Sequence, residues 1–208
     1  MLASQIGYYS LIIGLFFSIL IIPISIINLN NTKIIDIKIF HISFLQLLFV
    51  FISFGGLVIS FVNSDFSNET VYSNSHTTKP LFYKISGTWG NHEGSLLLWL
   101  MILTLFIFLF LIKTKNQPKK YIILTFLFQQ TIIIGFFLFV LTTSNPFNYL
   151  LPIPNEGLGL NPILQDPALA IHPPILYLGY VGSSVIFSGS LAGLVHGYIS
   201  REWAKHIK

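Results

Sequence analysis

The sequence predicts an all-α fold: a polytopic membrane helix bundle of about five transmembrane helices, with two long loops on the outer face. Three observations carry this. The 208 residues are 53% apolar and only 9% charged, where soluble domains hold about a quarter. The mean hydropathy is +0.76. Five runs also reach the length of about 20 apolar residues that crosses a bilayer's hydrocarbon core.

In chain order the spans are expected at about Gly7–Ile27, Ile42–Val62, Leu96–Ile112, Tyr121–Leu141 and Ile175–Val195, within one transmembrane domain covering 1–208. Between them lie a short charged connector, a long polar segment at 63–95, a tight basic turn at Lys113–Lys120 and a second long loop at 142–174. A basic tail follows from Ser200. Lys and Arg concentrate on the cytoplasmic or matrix side of membrane proteins. With the N-terminus outside, the inner side receives Lys33, Lys38, Lys113, Lys115, Lys119, Lys120, Arg201, Lys205 and Lys208; the outer side receives only Lys79 and Lys84. Nine against two sets the orientation and places both long loops outside.

With no cysteine, the chain offers no disulfide, thiolate ligand or thiol nucleophile. No basic aromatic surface suggests nucleic acid as a partner. The first apolar run is too long for a signal-peptide core and lacks a basic flank, so no cleavable leader is expected. The 20 phenylalanines, with abundant Ile, Asn, Tyr and Lys and almost no Ala or Arg, point to an AT-rich coding sequence and hence to an organelle. The expected location is the mitochondrial inner membrane, with a bacterial plasma membrane as the alternative. No span centre carries a charge, which argues against a proton or ion pathway. Gly189 and Gly193 have the spacing that lets helices approach closely, either within the chain or against another subunit.

Chemistry concentrates in two outer segments. The first, entering the third span, holds Trp89, Gly90, His92, Glu93, Gly94 and Trp99. Indole rings favour the membrane interface, so Trp89 and Trp99 could be plain anchors. An imidazole and a carboxylate beside hydrocarbon, however, must be hydrated, paired or used. The second segment carries seven of the ten prolines, at 146, 152, 154, 162, 167, 173 and 174, and so reads as a stiff platform whose Leu and Ile seat it on membrane lipid. Asp166 before Pro167 signals an N-capped short helix through Ala170. His172, followed by Pro173 and Pro174, is expected at the N-terminal boundary of the last span. There the helix dipole favours the neutral imidazole that can ligate a metal. The residues alone leave open iron, another metal or a hydrogen bond. His41, His76, His196 and His206 read as structural. Asn68-Glu69-Thr70 matches a glycosylation acceptor, without meaning in a mitochondrion. Gly157-Leu158-Gly159 lacks the strand and helix of a dinucleotide loop. No nucleophile–base pair, paired carboxylates or zinc spacing occurs, so no catalytic residue is assigned.

The segments WGNHEGSLLLW at 89–99 and GLNPILQDPALAIHPPILYLGYVG at 159–182, in this order, resemble the N-terminal part of CcmF-type haem lyases of the cytochrome c maturation system. The resemblance implies that haem, b-type or in transit to cytochrome c, reaches the outer side on a membrane-anchored haem chaperone. It is then joined to an apocytochrome c, whose Cys-x-x-Cys-His motif supplies the thiols. The resemblance makes His172 an outer haem-iron ligand, the only metal ligand expected. Trp89, Gly90, His92, Glu93, Gly94, Trp99, Asp166, Pro173 and Pro174 form a haem or partner platform around it. The family's tryptophan-rich haem-handling motif and its later histidines are missing. The expectation is therefore a non-autonomous subunit, completed by further lyase polypeptides that carry that motif. A structural hydrophobic subunit of a respiratory complex and a haem exporter component are the competing readings.

Overall fold

The computed structural model describes residues 1–30, 37–114 and 116–197; Lys33, Lys115, Arg201, Lys205, His206 and Lys208 lie outside the described residues. Five long helices dominate: α1 (Leu2–Asn30), α2 (Ile37–Val62), α5 (His92–Lys113), α6 (Lys119–Thr142) and α7 (Pro167–His196). Each is long and apolar enough to cross a membrane, and the chain is a multi-pass membrane protein. Each extends beyond the apolar run expected from sequence, because polar and capping residues continue the helix past the hydrocarbon. The segment expected as polar loop at 63–95 contains two short helices, α3 (Glu69–Asn74) and α4 (Leu81–Gly87).

Helix ends follow local chemistry. Asn91 caps α5 by accepting from the Gly94 amide at 2.7 Å, and Glu93 sits in its first turn, where the helix dipole favours a negative charge. Lys113 closes the same helix at its negative end. Pro118 stops the preceding turn and starts α6. Asp166 caps α7 by accepting from the Ala168 amide at 2.8 Å and the Leu169 amide at 3.1 Å. Gly197, at φ +66°, ends α7 in the left-handed conformation that glycine adopts without strain.

Helices α1, α2, α5 and α6 form a ring of four, each packed on two neighbours. Helix α7 lies outside the ring, against α5 and α6, which explains its low burial: 28% of its most apolar stretch is buried within the chain, against 44% for α5 and for α6. The ring has a polar centre. Gln46 of α2 and Gln130 of α6 exchange amide hydrogen bonds at 2.9 and 3.1 Å, and Gln46 also donates to Ser18 of α1 at 2.8 Å. The neighbouring Gln129 points 100° away and serves α7, donating to Ser184 at 2.8 Å and accepting from Ser188 at 2.7 Å. In hydrocarbon such amides have no water to turn to, and each interhelical bond contributes about 0.6–1.7 kcal/mol.

Gly189 and Gly193, expected to serve packing either within the chain or outside it, are buried within it. The Tyr121 hydroxyl lies 2.9 Å from where a Cβ on Gly189 would stand.

The two long loops are stitched together at one end of the bundle. The Glu69 amide donates to the Asn148 carbonyl at 2.9 Å, and the Leu150 amide to the Ser67 carbonyl at 2.9 Å. Farther along, the Leu158 amide donates to the Tyr72 carbonyl at 2.8 Å and the Gly159 amide to the Ser75 carbonyl at 3.0 Å. Asn68, fully buried, caps α3 and donates to both Ser4 Oγ and the Pro146 carbonyl at 2.9 Å. The glycosylation pattern at this position is therefore a structural asparagine. Gly157 and Gly159 serve this seam: a Cβ on Gly157 would overlap the Ser75 carbonyl.

Candidate functional site

The two chemistry-bearing segments meet at the loop end of the bundle. Trp89 Nε1 donates to the Ala170 carbonyl at 2.8 Å, two residues before His172. A Cβ on Gly90 would stand 3.4 Å from Leu160 and from Leu164, so the approach to α5 packs under the proline-rich loop. Deeper in the bundle, Trp99 stacks on Phe136 at 5.4 Å and touches Tyr177 at 5.3 Å and Tyr180 at 5.7 Å, fastening α5 and α6 to α7.

His172 differs in position from expectation. Helix α7 is continuous from Pro167 through the tandem prolines, so His172 is its sixth residue and not its boundary. The short helix expected to stop at Ala170 is the first turn of the span itself. Proline normally breaks a helix by removing a donor and crowding the preceding turn. Here the donor missing beneath Pro174 is replaced from Trp89. The helix-dipole argument for a neutral imidazole weakens accordingly, since that field falls off within the first turn.

What the structure supplies instead is presentation. The buried residues of α7, including Ala170, Val181, Ser188 and Ala192, lie along one face. At 100° per residue His172 falls on the opposite face, in line with Leu176, Gly179, Ser183 and Ile186, all exposed. Its imidazole makes no hydrogen bond to any described residue.

The other candidate residues divide. His92 Nε2 is engaged with Ser144 Oγ at 3.0 Å, tying α5 to the end of α6, and Glu93 belongs to the first turn of α5. Gly94 is structural, for a Cβ there would overlap the Thr88 carbonyl. Asp166 is the α7 cap. Of the remaining histidines, His41 bonds the Ile37 carbonyl at 2.8 Å, and His76 bonds Thr78 Oγ1 at 2.9 Å and lies 3.8 Å from Glu156. His196 ends α7. Among the described residues no three His, Asp or Glu side chains converge to hold a bare metal ion. A haem asks less of the protein, because the porphyrin brings four nitrogens and a single imidazole completes the ligation. The donor set around His172 fits that requirement.

Sequence reasoning did not single out Gln46, Gln129 and Gln130. Their signal was present: three uncharged amides inside otherwise apolar spans, two of them adjacent.

The Cytochrome C assembly protein family profile matches residues 89–207. The chain belongs to this family. Among its relatives, the cytochrome c-type biogenesis protein CycK of Rhizobium meliloti is 43% identical over 98% of this chain and 30% of its own length. The cytochrome c-type biogenesis protein CcmF of Escherichia coli is 42% identical over 78% of this chain and 26% of its own length. The solved structure of a cytochrome c haem lyase CcmF superposes with a TM-score of 0.79 at 23% identity, covering 99% of this chain and 32% of that one. The likeness to that structure shows a shared fold. The chain spans about a quarter to a third of the length of these relatives. The match beginning at Trp89 covers the two segments that meet at the loop end.

Proposed function

We propose that this chain is a membrane subunit of the apparatus that attaches haem covalently to apocytochrome c, and that His172 binds the haem iron. The observation that carries the reading is the exposed imidazole of His172, without a described hydrogen-bond partner, on the face of α7 turned away from the bundle. Family membership supplies the reaction to which that imidazole is assigned. An exposed imidazole is the commonest protein ligand for a metal, and haem needs only one from this chain. The residues of 1–208 act as one membrane domain, with the two stitched loops as the outer platform on which haem and apocytochrome meet. The thiols that add to the haem vinyl groups belong to the apocytochrome, in keeping with a subunit of no cysteines.

The partners we propose for it are further lyase polypeptides carrying the tryptophan-rich motif. A membrane-anchored haem chaperone would deliver the substrate to the same face. On composition we assign the mitochondrial inner membrane. The bacterial origin of the relatives named above supports the plasma membrane as a second reading. Fractionation with an antibody to the chain separates the two.

The test of the haem assignment is substitution in the assembled complex. His172→Ala is expected to abolish or sharply reduce cytochrome c maturation while the chain remains inserted and bound to its partners. His172→Gly with added imidazole should recover part of the activity, because free imidazole enters the vacated position. His41→Ala, at the opposite end of the bundle, should mature cytochromes normally. Normal maturation by His172→Ala, or failure through loss of the subunit alone, would refute the assignment.

A further inference from the structure

The tandem prolines before the apolar part of α7 create a defect that the rest of the chain repairs. In an α-helix the carbonyl of residue i accepts from the amide of residue i+4. For Ala170 that residue is Pro174, which has no N–H. Ala170 is only 4% exposed, so water is not at hand to replace the donor. The Trp89 indole N–H occupies the vacancy, 2.8 Å from the Ala170 carbonyl oxygen. An indole has one donor and no acceptor, so this bond uses its whole polar capacity.

Trp89 is itself held firmly. Its ring stacks on Phe54 of α2 with centroids 6.5 Å apart and planes 18° from parallel, and its backbone amide donates to the Ser86 carbonyl at 3.2 Å. The indole N–H is committed to backbone and one ring face is covered by Phe54.

We propose that Trp89 is a positioning residue for His172: its indole N–H stands in for the amide that Pro174 lacks, keeps α7 helical across the prolines, and so fixes the rotation at which the imidazole is presented. What that rotation serves rests on the haem reading of His172. The clamp is a property of the polypeptide and can be read without haem.

Two substitutions test it. Trp89→Phe keeps an aromatic ring against Phe54 and removes only the donor. Pro174→Ala returns a backbone amide beneath Ala170 and makes the indole dispensable. In the full chain in bilayer discs without haem, Trp89→Phe should speed hydrogen exchange at the Ile171, His172 and Ile175 amides by about fivefold, the size expected for one net hydrogen bond. Adding Pro174→Ala to Trp89→Phe should return exchange to the original rate. In complexes with the partner chains, maturation should fall with Trp89→Phe and recover in the double variant.

Unchanged exchange in Trp89→Phe, or no recovery on adding Pro174→Ala, overturns the proposal. Full maturation by Trp89→Phe despite fast exchange, in complexes where His172→Ala is inactive, also overturns it. If exchange follows the expected pattern while His172→Ala matures cytochromes normally, the clamp stands and the haem assignment is what fails.

Discussion

Glu156 shows how one side chain couples the two loops to pH. The Thr77 hydroxyl donates to its Oε2 at 2.6 Å, and the Thr77 and Gly157 amides donate to its Oε1 at 3.0 Å each. These bonds, the hydroxyl foremost, hold the carboxyl at about 2, below its ordinary 4.5. A lowered carboxyl pKa stabilises the folded loops above the ordinary value, and the contribution is lost as pH falls from about 4.5 to about 2. The protection of the Thr77 and Gly157 amides, with each exchange rate taken relative to the intrinsic rate at the same pH, should therefore fall through that window, and Glu156→Gln should flatten the response. Protection that stays constant from pH 5 to 2 in the unaltered chain would show that this latch carries no load. Lys79 acts in the same direction at the other extreme: burial pulls it to about 8, so the loop gains stability as pH rises from there towards the ordinary lysine value of 10.5. Neither effect was legible in sequence, where Glu156 and Lys79 are 77 residues apart and only the folded seam brings their surroundings together. The Asp166 cap ahead of His172, by contrast, was legible, because Asp followed by Pro is a local signal for a helix start.

At the scale of the element, the entry to α5 carries a steric constraint that the sequence did not announce. Trp89, Gly90, His92, Glu93 and Gly94 stood out as a possible haem surface, yet Gly94 is required by packing: its α-carbon passes so close to the Thr88 carbonyl that a methyl group would overlap it. Gly94→Ala should therefore block the turn between α4 and α5 and reduce the folded yield of the chain, whereas Gly179→Ala, with open space around it, should be tolerated. Thermal unfolding in detergent compares them: a drop of several degrees or more for Gly94→Ala, little for Gly179→Ala, and equal behaviour would contradict this account. The continuity of α7 was not legible for a related reason. Pro-Pro is a local stop signal, and the indole that overrides it sits more than eighty residues upstream. Periodicity and caps are local and can be read from a window; a missing donor supplied from another element cannot.

For the whole molecule, five spans were legible because bilayer thickness imposes their length. The ring of four with α7 outside was not, because the glutamines and aromatics that arrange it add little to any hydropathy window. The orientation can be tested cleanly, since the native chain has no cysteine to interfere. Leu158→Cys, in the stitched loops, should react with an impermeant maleimide from the outer side of sealed vesicles, and Asn116→Cys, in the basic turn, should react only after the membrane is opened. Both positions are exposed within the chain, so its own packing does not block labelling. Reaction of Asn116→Cys from outside would invert the assignment. The polar centre of the ring also has a history during biosynthesis. Gln46 and Gln130 lie 84 residues apart. At a synthesis rate of about 5–20 residues per second, Gln46 enters the membrane about 4–17 seconds before its partner exists. Throughout that interval the nascent α1–α2 hairpin has only Ser18 with which to occupy the amide. The amide pair that closes the ring is completed only when α6 arrives.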